Sequence, residues 1–123
     1  MNFNEATKRI NEISKVEAGQ LCEGSEAPKT LAIKKSLLFL TDLESSNFSK
    51  YFKKLSTINP DEYGDILFVF ETPTKITSIC IQDYDIAVSR GIIKDRTLTW
   101  YTPLYFEKEL TTKNLEDILC HLD

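Results

Sequence analysis

The chain has few of the side chains on which catalytic sites are usually built. Its 123 residues include one histidine, His121, close to the end of the sequence. It has four glycines, none spaced as in a phosphate-binding loop, and three cysteines that form no paired motif. Most common catalytic and metal sites need such residues in close, defined spacing. We therefore predict that the protein is not an enzyme and holds no metal or cofactor.

We also expect no segment that would direct the chain out of the cell or into a membrane. The first turns carry several charged side chains, which is not the pattern of a secretion signal. No stretch approaches the ~20 apolar residues of a membrane-spanning helix. The cysteines are odd in number, and Cys80 and Cys120 lie in apolar patterns typical of reduced thiols. We expect a soluble, cytoplasmic protein without membrane contact.

The charge is modest but unevenly distributed along what we predict to be one domain, residues 1–123. The net charge is −4. Residues 31–60 carry five lysines against two carboxylates, and residues 61–90 carry six carboxylates against two basic side chains. Such runs form either a solvated face or a surface for a charged partner. The acidic balance argues against nucleic-acid binding, so we interpret Lys50, Lys53 and Lys54 as a solvated helix face.

The N-terminal third of the sequence shows helical patterns. Asn4 can cap a first helix, with Phe3 as the preceding apolar residue and Gly19 as a plausible stop. A second apolar segment, Thr30–Leu43, is either a helix or contains a strand at Leu37–Thr41, and its length favours the helix.

A third helix is predicted between Ser46 as N-cap and the Asn59-Pro60 pair, because the residue before proline avoids helical geometry. Its apolar stripe follows helical spacing and consists of Phe48, Tyr51, Phe52 and Leu55.

From Asp65 onward the apolar pattern has the period of strands. Four are predicted: Ile66–Phe70, Lys75–Gln82, Ile86–Ile93 and Arg96–Thr102, the last ended by Pro103. Residues 83–91 could alternatively form a short helix that ends at Gly91. Thr111 or Thr112 caps a last amphipathic helix. The predicted fold class is α+β: N-terminal helices, a four-stranded antiparallel meander, and a C-terminal helix packed on one sheet face.

Candidate chemical groups are sparse. Cys120 and His121 are adjacent potential ligands, but a zinc site normally has a second such pair. We expect His121 to point outward from a fraying helix end, where a catalytic base would be poorly held. Carboxylates are abundant, so residue types alone leave a two-carboxylate hydrolase open, although a chain of this length offers little material for a cleft.

The acidic residues of the strand connections form the main candidate site. In an antiparallel meander, the start of the first predicted strand lies beside the end of the second. This geometry would gather carboxylates and tyrosines at one edge of the sheet: Asp61, Glu62, Tyr63, Asp65, Asp83, Tyr84 and Asp85. Carboxylates interleaved with tyrosines can form a protein-binding surface. The alternative is that these loops are acidic only for solubility.

The overall profile resembles that of contact-dependent-inhibition immunity proteins, which are short, acidic and cytosolic and lack catalytic residues. No motif carries the resemblance, and no family residue is transferred. It implies an inhibitor that neutralises a basic toxin, most simply a nuclease, by occluding its active site, as a monomer or in a 1:1 heterodimer. The alternatives are a type III secretion-like chaperone, a phage-encoded inhibitor of a host defence complex, and a small carboxylate-based enzyme.

Overall fold

The first helix, α1, spans Phe3–Ile13 and begins at a capping box. The Asn2 side chain accepts a hydrogen bond from the Glu5 N–H at 2.8 Å, and the Glu5 carboxylate accepts one from the Asn2 N–H at 3.1 Å. The predicted cap at Asn4 is therefore wrong by two residues, because only Asn2 has a glutamate three positions later. The helix also ends well before Gly19. This computed structural model describes residues 1–45 and 47–123, with the backbone only for residues 102–107 and 112.

The second helix, α2, spans Thr30–Ser45, so the helix prediction for this segment is confirmed. Five of its side chains are buried at helical spacing: Ala32, Ser36, Phe39, Leu40 and Leu43. Two further apolar residues of this helix, Leu31 and Leu38, lie outside the buried face and are exposed.

The segment after α2 differs from the prediction. A short 3₁₀ helix spans Ser49–Lys54, and a strand, β1, follows at Leu55–Pro60, so the long third helix is wrong. The predicted cap at Ser46 lies outside the described residues. β1 forms because it pairs with the next strand and buries Leu55 and Ile58. Pro60 is tolerated because β1 is an edge strand.

The sheet is an antiparallel meander of five strands in sequence order, one strand more than predicted. The remaining strands are β2 (Ile66–Glu71), β3 (Lys75–Ile81), β4 (Ile86–Lys94) and β5 (Thr97–Glu107). The strand prediction for 86–93 is confirmed over the short helix. Asp95 and Arg96 have φ of 52° and 64° and form the two-residue turn between β4 and β5.

β5 continues past Pro103, where the sequence predicted its end. It is the other edge strand, and its register with β4 shifts between Val88 and Arg90, opposite Thr102–Tyr105. Pro103 has no N–H to donate. This is tolerated in an edge strand at a shift in register, because no further strand pairs on the outer side of β5.

The C-terminal helix, α3, spans Thr112–Leu119 and is capped by Thr111, whose hydroxyl accepts from the Asn114 N–H at 3.2 Å. A 3₁₀ turn, Cys120–Leu122, follows. All three helices contribute to one buried cluster on one face of the sheet, where Phe68, Ile79 and Val88 pack. The predicted α+β architecture is confirmed. No helix in the described part of the chain is long and apolar enough to cross a membrane.

Candidate partner-binding edge

The β1–β2 loop and the β3–β4 turn meet at one edge of the sheet. Ile66, the first residue of β2, pairs with Ile81, the last residue of β3, so the segments that adjoin them lie side by side. The Lys29 ammonium bridges the two segments, 3.3 Å from the Asp65 carboxylate and 3.8 Å from that of Asp83. We call residues 61–65 and 82–85 together the acidic edge. It gathers the seven predicted site residues.

The β1–β2 loop is held in one conformation by its own first carboxylate. Asp61 Oδ1 accepts hydrogen bonds from the N–H groups of Tyr63 and Asp65, both at 2.9 Å. Gly64 has a φ of +82°, and an added Cβ would lie 2.5 Å from the carbonyl oxygen of Ala27. Hydrogen bonds and close packing therefore both constrain the conformation of this loop.

The segment that precedes α2 supports this loop from outside. The Glu26 N–H donates to the Glu62 carbonyl, and the Lys29 N–H donates to the Gly64 carbonyl, both at 2.8 Å. These hydrogen bonds place Lys29 at the acidic edge, although Lys29 is far in sequence from residues 61–65 and 82–85. Lys29 was not predicted from the sequence. It lies next to Pro28 with no motif around it, and its contacts depend on how two loops pack together.

The position of the Asp65 side chain differs from the predicted one. Its side chain was expected to face a partner, but the residue is only 6% exposed and is paired with Lys29. Burial and the neighbouring Asp61 carboxylate raise the pKa of Asp65, and the Lys29 ammonium opposes that rise. Asp65 thus belongs to the support of the edge and offers little surface to another molecule.

The other six predicted site residues reach solvent. Tyr63 and Tyr84 are 62% and 78% exposed, and Glu62 is exposed as well. Asp61, Asp83 and Asp85 are partly exposed. Hydrogen bonding to the Glu62 carboxylate raises the pKa of Tyr63 above its ordinary value of 10. The surface offers carboxylate acceptors and two aromatic side chains with polar tips, which suits cationic groups of a partner.

A cluster beneath the edge contains potential metal ligands that the search for paired motifs missed. A carboxylate oxygen of Asp61, a carboxylate oxygen of Asp65 and the sulfur of Cys80 all lie within 4.8 Å of one another. The Cys80 thiol lies 3.9 Å from Asp61 Oδ2, in position to donate to it. Burial and the two carboxylates raise the pKa of Cys80 to about 12, so the thiol stays protonated. Within this cluster the protonated thiol can donate a hydrogen bond to Asp61, which ties β3 to the β1–β2 loop.

His121 is also placed differently from the prediction. Its ring does not point outward: Nδ1 contacts the Tyr101 hydroxyl, and Nε2 lies 3.1 Å and 3.2 Å from the carbonyl oxygens of Ile76 and Gly91. Ile76 and Gly91 pair near the end of β3 and β4 that lies opposite the acidic edge. His121 therefore anchors the end of the chain on the sheet, and both ring nitrogens have neighbours in the fold.

Comparison with protein-family models, curated proteins and solved structures finds no significant match for this chain.

Proposed function

We propose that this protein is a small cytoplasmic binding protein that inhibits a basic protein partner through its acidic edge. In its most specific form, it is an immunity protein that neutralises a bacterial toxin of the contact-dependent-inhibition type. The toxin would be a nuclease, and the complex would be a 1:1 heterodimer. The observation that carries the proposal is the display of exposed carboxylates and tyrosines on two mutually braced loops.

Charge supports a nuclease as the partner. A nuclease active site holds phosphates in a positively charged cleft. The Glu62 and Asp85 carboxylates can take the place of those phosphates, and Tyr63 and Tyr84 can contribute contact area beside them. An acidic surface of this kind also accelerates association with a basic cleft.

Preorganisation supports an inhibitory role. The Asp61 carboxylate fixes the β1–β2 loop, and Lys29 joins Asp65 to Asp83 across the two segments. A surface that is ordered before binding loses less conformational freedom on association. Rigid loops therefore favour tight occlusion of a partner over transient contact.

The test is a growth-rescue assay. Genes adjacent to the coding sequence would be expressed one at a time in a bacterial host, and any product that arrests growth would be co-expressed with this protein. We expect rescue, loss of nuclease activity in vitro and a 1:1 complex in solution. If no neighbouring product is toxic, or if toxicity persists while both proteins are soluble, the immunity proposal is wrong.

A chaperone-like function is the second candidate, favoured by a separate observation on the β4–β5 hairpin. Four large side chains there are exposed to between 42% and 50%: Ile92, Leu98, Trp100 and Tyr101. Secretion chaperones present apolar surface to their cargo and usually dimerise. Light scattering separates the candidates, because a monomeric mass at high concentration contradicts the chaperone and agrees with the inhibitor.

A further inference from the structure

A cavity of about 370 Å³ opens beside the acidic edge. It lies between α2, the ends of β3 and β4 that flank the β3–β4 turn, and the segment that leads into α3. Its apolar walls are Leu38, Phe39, Ile81, Ile86, Leu110 and Leu115. Four of these side chains are at most 5% exposed, whereas Leu38, at the mouth, is 55% exposed. The cavity is thus an opening that reaches into the core, with Leu38 at its mouth.

The cavity and the acidic edge are built from one continuous segment. Ile81 and Ile86 line the cavity, and residues 82–85 between them form part of the acidic edge. The Lys35 ammonium donates to the carbonyl oxygens of Gln82 and Asp83 at 3.2 Å and 3.3 Å, which fixes the turn against α2. A partner that covers Tyr84 and Asp85 therefore lies next to the cavity mouth.

The charges decide which occupant fits. Among the side chains that the structure describes, the charged ones in the lining are two cations and two carboxylates: Lys35, Lys108, Asp42 and Glu109. The adjacent turn adds the Asp85 carboxylate, which is not paired with Lys29, and the Asp83 carboxylate, which shares Lys29 with Asp65. A bound segment would therefore place an apolar group in the cavity and cations beside it.

We propose that this cavity receives one large apolar side chain, of phenylalanine or leucine size, from a protein segment with lysine or arginine on both sides of it. The proposal rests on the proposed function, since the segment would belong to the basic partner, and it adds an apolar anchor to the electrostatic contact. Interfaces commonly concentrate their binding energy in such a buried anchor beside a charged rim.

The test uses synthetic peptides, so it does not depend on the identity of any toxin. The probes are KKFKK, KKSKK and EEFEE, each with blocked ends, titrated into the full chain with methyl and amide NMR as the readout. We expect KKFKK to bind at least tenfold more tightly than the other two. It should shift the methyl signals of Ile81, Ile86 and Leu115 together with the amides of Tyr84 and Asp85.

Two variants of α2 localise the effect. Leu38→Glu places a carboxylate at the cavity mouth, and Leu31→Glu makes the same change at an exposed leucine on the same helix, outside the cavity. We expect Leu38→Glu to abolish the preference for KKFKK over KKSKK and Leu31→Glu to retain it. Equal binding of the three peptides to the wild type, no binding of any, or full binding to Leu38→Glu would each overturn the proposal. A failed growth rescue with intact peptide binding would overturn only the immunity function.

Discussion

Lys29 and Asp65 form an ion pair in which the ammonium nitrogen lies 3.3 Å from a carboxylate oxygen of an almost fully buried residue. The lysine enters from the segment before α2, and the aspartate ends the β1–β2 loop. The pair therefore joins two parts of the chain that are far apart in sequence, and it holds one half of the acidic edge in place.

We predict that Lys29→Ala destabilises the fold. The substitution leaves the Asp65 carboxylate buried without its cation, although Lys29 itself is partly exposed to solvent screening. The free energy of unfolding should fall by about 1–2 kcal/mol, less than for a fully buried pair. Lys34→Ala, at an exposed neighbour on α2, should change it by less than ~0.5 kcal/mol. Equal urea midpoints for the two variants would contradict this prediction.

The raised pKa of Asp65 predicts a pH dependence. Burial, then Asp61, raises this pKa above its ordinary value of 3.8. The native state therefore binds the proton at a higher pH than the unfolded chain, so this group adds stability as pH falls through its folded pKa. Relative to Asp65→Asn, the wild type should gain stability between pH 7 and pH 4 in urea unfolding. A constant difference between the two proteins across that range would show that Asp65 titrates normally.

His121 predicts a pH dependence of the opposite sign. Burial, together with the charges of Lys75 and Arg90, lowers its pKa below 6.5. The unfolded chain therefore takes up the proton first, and the stability that neutral His121 provides is lost as pH falls through 6.5 toward the folded pKa. Between pH 7.5 and pH 5.5, the melting temperature of the wild type should drop more than that of His121→Gln. Parallel profiles would mean that the ring is not held as described.

The fold was predictable where one local pattern dominated. The amphipathic spacing of α3 and the short apolar run of β2, rich in aromatic and β-branched residues, each agree with a single structure. β1 was missed because Phe48, Tyr51, Phe52 and Leu55 also fit a helical stripe, and only pairing with β2 selects the strand. Such pairing is a long-range contact that local periodicity does not encode.

The site was predictable only in part. The convergence of Asp61 with Asp83 follows from the meander, whose connections determine which loops are neighbours. The burial of Asp65 depends on its pairing with Lys29. The contacts of His121 depend on Tyr101 and on two carbonyl oxygens of the sheet. All of these groups are far from their partners in sequence. Such long-range contacts cannot be predicted from composition or from the local spacing of residues.

The three thiols should differ in reactivity. Cys22 and Cys120 are exposed, whereas Cys80 is partly buried with its pKa raised to about 12 by burial and by the Asp61 and Asp65 carboxylates. The thiolate is the reactive form. Titration of the native protein with a disulfide reagent at pH 8 should show two rapid reactions, and a third only after unfolding. A rapid third reaction would contradict the buried cluster, as would a large loss of thermal stability on addition of a chelator.

Gly64→Ala should destabilise the β1–β2 loop. The new Cβ would meet the Ala27 carbonyl oxygen at 2.5 Å on a backbone whose φ is +82°. Gly24→Ala is a matched control, because Gly24 has a φ of +80° but open space around its Cβ position. We expect a loss of about 2–3 kcal/mol at Gly64 and about 1 kcal/mol at Gly24, where only backbone strain acts. Equal losses in thermal unfolding would show that the loop moves freely away from Ala27.

The last prediction concerns the charges of the acidic edge. The most informative double reversal is Glu62→Lys with Asp85→Lys, because both side chains reach solvent and neither is paired with Lys29, unlike Asp65 and Asp83. Exposed charges contribute little to folding, so the melting temperature should change by only a few degrees. Binding to the toxin identified by growth rescue should weaken at least a hundredfold, since cations of the partner would meet cations.

The control for this reversal carries the same change of charge elsewhere. Glu44→Lys with Glu71→Lys alters two exposed carboxylates that lie outside the acidic edge, one on α2 and one at the far end of β2. Binding kinetics measured at several salt concentrations separate long-range electrostatic steering from direct contacts in the interface. The control should slow association modestly at low salt and lose that effect near physiological ionic strength, where the Debye length is ~8 Å. The edge reversal should remain impaired at every salt concentration, because it also removes contacts within the interface. Equal behaviour of the two double variants would assign the interface to another surface, first the face of Lys50, Lys53 and Lys54.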